Sequence, residues 1–153
     1  MNEQKLKFLQ EDFIPLIKHL APDAKGKWGK MDGQQMVEHV TDFFKFSTGK
    51  LQYPLVTPAD LLPKYKAFLL SEKEFRENTK APILPDEPFP HRNKVMHTAV
   101  AELETEVNDF FTSFKDDAEK TALHPVFGDL NFEEWVQLHH KHVVHHLKQF
   151  GLL

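Results

Sequence analysis

The chain has 153 residues, 41% of them hydrophobic and 27% charged, which is the size of one domain and argues against intrinsic disorder. The absence of cysteine excludes disulfides, thiolate zinc sites, iron–sulfur clusters and a cysteine nucleophile. Net charge is −4, only Arg76 and Arg92 are arginines and the lysines are scattered, so the basic cluster and arginine forks of a nucleic-acid binder are missing.

The N-terminal stretch repeats Leu6, Leu9, Phe13, Leu16, Ile17 and Leu20 at three- and four-residue steps, which predicts a helix over 3–20. Asn2 stands where it can cap that helix, and Pro15 should kink or split it. Glu3, Lys5 and Lys7 leave no apolar signal core, and no uncharged run reaches the ~20 residues of a membrane span. A soluble cytoplasmic protein is expected.

Asp32 with Gln35 forms a capping-box signal that opens a second helix through Met36, Val37, Val40, Phe43 and Phe44, stopping near Gly49. Prolines 54, 58 and 63 break the next segment, where a short helix over 60–72 fits. Residues 76–92 contain four prolines and read as a long crossover loop. Met96, Val100, Leu103, Val107, Phe110 and Phe114 then give the clearest helical seam in the chain. After a loop with Pro125 and Gly128, Asn131 and Glu134 form a second capping box, and a last helix runs to about Phe150 before Gly151. No stretch alternates like a strand. The expectation is an all-α, single-domain four-helix bundle with a long crossover loop and a short extra helix.

Fourteen phenylalanines against two tryptophans and two tyrosines imply a core of rings without polar handles. Ten histidines are present, five of them between His139 and His146. At ~100° per residue, His139, His142, His146 and Gln149 share the inward side of the last helix with Trp135. His140 falls on the opposite flank and His145 on a shoulder. His142 and His146, one turn apart, project two imidazoles that one metal ion can accept. His39 points inward from the second helix among Met36, Val40 and Phe43, and supplies a third. Three neutral imidazoles leave at least one coordination position open, as in catalytic zinc sites. The competing reading is ordinary: histidines satisfied by backbone carbonyls in an amphipathic helix.

Other residues are weaker candidates. His124 either folds over the site from its loop or caps the last helix, and His124 and His139 are the two candidates for a fourth ligand. Gln35 either orients His39 or only caps its helix. Trp28 is a hydrophobic plug or a substrate platform, and His97 is a surface residue. Glu38, Asp42 and Glu134 lie towards the rim, none where a general base is needed; no catalytic residue is assigned.

His142-Val143-Val144-His145-His146-Leu147-Lys148-Gln149 resembles the H-x-x-H-H-x-x-Q signature of the DinB/YfiT-like family of metalloenzymes, and Met36-Val37-Glu38-His39 matches its earlier histidine. Trp28-Gly29-Lys30-Met31, Gln34-Gln35-Met36 and His124-Pro125-Val126-Phe127-Gly128 extend the likeness to an uncharacterised bacterial subfamily. The resemblance implies a four-helix bundle, often dimeric, with His39, His142 and His146 holding a divalent ion, zinc or nickel. It further implies hydrolase or thiol-dependent S-transferase activity on a small molecule, with any low-molecular-weight thiol arriving as cosubstrate. The alternative is a non-catalytic metal-binding or dimeric interaction bundle.

Overall fold

The computed structural model describes residues 2–153. The N-terminal helical stretch consists of α1 (Glu3–Lys7), a π turn (Phe8–Asp12) and α2 (Phe13–Ile17). Asn2 caps it, its side-chain oxygen accepting the Lys5 N–H at 3.1 Å. Pro15 has no N–H to donate and its ring crowds the carbonyl of Glu11. The wider π turn lies where that carbonyl sits, so the helix loosens there instead of breaking. Regular helix ends at Ile17, short of the expected residue 20, and a tight turn with Leu20 N–H on Ile17 O completes the stretch.

The second helix, α3 (Gly33–Thr48), starts and stops as its sequence signals require. Asp32 and Gln35 form the reciprocal capping box, and Gly49 ends the helix in the left-handed conformation at φ 78°. A 3-10 turn (Ala59–Leu61) leads into α4 (Leu62–Leu70). Residues 71–95 contain no regular element, but they are pinned. The carboxylate of Glu38 accepts the backbone N–H groups of Arg92 (2.6 Å) and Asn93 (2.9 Å), and Gln34 donates to Asn93 O at 2.7 Å. Glu38 is therefore buried under the crossover, contrary to the rim position expected for it. Asp42 and Glu134 are ion-paired, to Arg92 (3.2 Å) and Lys66 (2.8 Å).

Helix α5 (Met96–Lys115) lies along α3, the broadest helix pairing in the molecule. Val100, Leu103, Val107, Phe110 and Phe114 are all buried, as their spacing predicts. Phe110 meets the rings of Phe44, Phe114 and Phe132 at centroid distances of 6.0, 5.5 and 5.5 Å. The last helix, α6 (Phe132–Gln149), carries its own capping box and packs on α4, α1 and α3.

One feature overturns the strand-free expectation. β1 (Ala122–His124) and β2 (Gly128–Leu130) form an antiparallel hairpin with His124 opposite Gly128. Three-residue strands are too short for alternation to show in the sequence. The Trp135 indole donates to Ala122 O at 3.1 Å and ties the hairpin to α6. The described residues are thus mostly helical with one small sheet. Among the described residues no helix is long and apolar enough to cross a membrane.

Candidate metal centre

Helix α3 presents His39 and helix α6 presents His142 and His146 to one point in the core. Nε2 of His142 lies 3.0 Å from Nε2 of His39 and 3.1 Å from Nε2 of His146. One nitrogen from each ring falls within 4.8 Å of the others, and among the described residues this is the one His, Asp or Glu group so arranged. The phase of α6 predicted from sequence therefore holds for His142 and His146. Burial pushes His39 down to about 4 and holds His142 and His146 well below the usual imidazole range, with neighbouring histidines adding to the effect. All three are neutral at pH 7.

Their tautomers follow from the surrounding bonds. Trp28 O can only accept, so the Gln149 group facing it at 2.9 Å is the NH2. Oε1 of Gln149 then faces Nδ1 of His146 at 2.7 Å, and that nitrogen must carry the proton. Nε2 of His146 is left with a free lone pair. The single ring position at Nε2 of His142 holds either a proton or a lone pair, so it satisfies one neighbour and not both. Nδ1 of His142 is buried without a partner. A cation at the point of convergence would accept all three Nε2 lone pairs at once. In a tetrahedral zinc site with Zn–N near 2.0–2.1 Å, the N···N edge is about 3.3–3.4 Å, close to the 3.0 and 3.1 Å that separate His142 from His39 and from His146. The three histidines could hold a metal ion.

The ring of Phe43 stacks on His142 (3.9 Å between centroids, 22° between planes) and holds it in orientation. Gln149 acts on His146 in the same sense, and its own position depends on a close backbone approach. A Cβ at Gly29, whose φ is +78°, would stand 2.8 Å from the Gln149 Nε2. The positive φ favours glycine there, and a Cβ would push the Gln149 carboxamide aside.

The other histidines are occupied elsewhere. Nδ1 of His124 accepts the N–H groups of Val126 (3.0 Å) and Phe127 (3.2 Å), so this ring closes the hairpin turn. It neither caps α6, a role Asn131 fills, nor joins the three histidines. His139 is fully buried, stacked 3.8 Å from Phe44, with Nε2 on Ser47 Oγ at 2.9 Å. The Ser47 hydroxyl proton goes to Phe44 O (2.7 Å), so His139 donates and is not a ligand. Neither supplies the fourth ligand considered from sequence. The Gln35 carboxamide serves the capping box and donates to Phe89 O at 3.0 Å, which fits the capping role. Trp28 reaches the site through its carbonyl, while its indole lies 5.4 Å from the His145 ring. His97 is exposed, as expected. Sequence reasoning missed Phe43 and Gly29; the glycine sat inside a quoted motif, but nothing local linked it to Gln149.

A family profile described as "Protein of unknown function (DUF1569)" matches residues 3–151. The chain belongs to the DUF1569 family. This corrects the DinB/YfiT-like assignment, which no family match supports. The reason is geometric: two inward histidines one turn apart, followed by a glutamine one turn on, describe a helix face and not a lineage. No curated protein and no solved structure matches this DUF1569 chain.

Proposed function

We propose that His39, His142 and His146 hold one divalent transition-metal ion, zinc or nickel, and that the protein is a metal-dependent enzyme acting on a small molecule. The observation that carries this reading is the convergence of three neutral Nε2 atoms with no fourth protein ligand among the described residues. An ion held by neutral imidazoles keeps its full charge and supplies Lewis acidity, towards water in a hydrolase or towards an external thiol in an S-transferase. Zinc and nickel both suit imidazole ligation. The chain's own part is to fix the three nitrogens, orient His146 through Gln149, and cover one face of His142 with Phe43. With no cysteine in the chain, any thiol is a cosubstrate. The same reading takes the N-terminal helical stretch, α3, α5 and α6 as four helices of one bundle with the site in its core, which the packing of α3 on α5 and of α6 on α1 and α3 supports.

Cobalt substitution tests the proposal. One equivalent of Co(II) should bind with the strong visible bands of four-coordination, lost in His142→Ala. Added low-molecular-weight thiol or a small anion should shift those bands by taking the open position. Bands indifferent to every added ligand would mean a closed, non-catalytic site. Failure to bind any equivalent at neutral pH would remove the metal altogether. A near-ultraviolet thiolate band favours the transferase, and turnover of a chromogenic ester by the zinc form favours the hydrolase.

A further inference from the structure

A cleft of about 270 Å3 opens on the surface beside the three histidines. His145 and Lys148 of α6, Lys27 and Trp28, and Phe75 with Glu77 from the segment after α4 are among its lining residues. The rings of Trp28 and Phe75 lie 5.4 and 5.8 Å from the His145 ring, and His145 packs 5.1 Å from the ring of His146. A single imidazole thus separates the cleft from the centre.

Two lysines and two glutamates line the cleft. Lys148 is ion-paired to Glu74, so these two neutralise one another. Lys27 and Glu77 have no ion pair among the described residues. The cleft therefore offers the ammonium of Lys27 and the carboxylate of Glu77, which acts on the neighbouring His145, together with the rings of Trp28 and Phe75. A ligand of one sign would leave one of these groups facing a like charge. An uncharged apolar ligand would desolvate both without replacing their water. A zwitterion with an apolar body satisfies both groups and covers the rings. The volume lies below the range usual for drug-sized ligands, so the ligand is small.

We propose that this cleft binds a small zwitterion with an apolar side chain, of the free amino acid class, its carboxylate towards Lys27 and its ammonium towards Glu77. As a substrate subsite this rests on the metal-enzyme reading, but the binding itself does not. The test uses L-phenylalanine as probe, followed by the fluorescence of Trp28 with Trp28→Phe as the blank, on protein stripped of metal and on protein loaded with zinc. Saturable quenching is expected in both. N-acetyl-phenylalanine and phenylalanine amide should each bind roughly tenfold or more weakly, since each lacks one charge-assisted contact. Lys27→Gln should erase the preference over the amide and Glu77→Gln the preference over the acetylated form; both side chains are at the surface, and circular dichroism should be unchanged. Equal binding of all three ligands, or no saturation at millimolar concentration, overturns the proposal. Binding of phenylalanine by a protein that takes up no metal would sustain the cleft and defeat the metal reading.

Discussion

Nδ1 of His146 donates to Oε1 of Gln149 at 2.7 Å, and this bond fixes which nitrogen of the imidazole is free to bind a cation. The amide cannot turn round, because its NH2 is held by Trp28 O at 2.9 Å. Gln149→Leu should therefore weaken metal binding without removing a ligand. Loss of such an outer partner lowers affinity about 10–100-fold. Competition against a chromophoric chelator measures it, and unchanged affinity would show that His146 needs no orienting partner.

Gly29→Ala should produce a milder form of the same defect. A methyl group there meets Gln149 Nε2 at 2.8 Å, and the backbone at φ +78° disfavours any side chain. The variant should lose metal affinity in the same assay while its thermal stability falls by about 1 kcal/mol or more. Full affinity with reduced stability would mean that the clasp tolerates displacement.

The histidines divide into two groups. Alanine at His39, His142 or His146 should empty the site by metal analysis after a chelator wash, with helical circular dichroism retained. His140→Ala should leave one equivalent bound, since His140 packs on Phe8, away from the centre. His124→Ala should also keep the metal but lower the melting temperature, because the hairpin turn loses its acceptor. Metal loss in His140→Ala with retention in His146→Ala would reverse the helical phase.

Acid should destabilise the metal-free protein. Burial holds His39 at about 4 and His124 at about 3, below the ~6.5 of an unfolded imidazole. Between these values the unfolded chain binds more protons than the folded one, so stability is complete above about pH 6.5 and declines as pH falls towards 3. Denaturant midpoints should drop steadily from pH 7 to pH 4. A flat profile there would show that these imidazoles accept protons without unfolding. Bound metal should leave over the same acidic range, because coordination requires neutral rings.

The α3–α5 seam should dominate stability. Phe110→Ala removes a fully buried ring in contact with Phe44, Phe114 and Phe132 and should cost about 3–5 kcal/mol, whereas Lys115→Ala at the exposed end of α5 should change little. Chemical denaturation of the two variants makes the comparison.

The sequence by itself determined the helices and their inward faces. Capping pairs such as Asp32 with Gln35 act within four residues, and the seam from Val100 to Phe114 repeats with the helical turn, so both are visible in a linear string. The same periodicity placed His142 and His146 on one face. Only the tertiary structure decided the rest, because it depends on residues distant in the chain. Glu38 looked like a rim carboxylate until residues 92 and 93 folded over it, and His124 and His139 looked like ligands until a turn and Ser47 claimed them. The β1–β2 hairpin is too short to show a period, and the Trp28–Gln149–His146 clasp spans 121 residues. Local periodicity shows which way a side chain faces, whereas the partner it meets is set by how the whole chain packs.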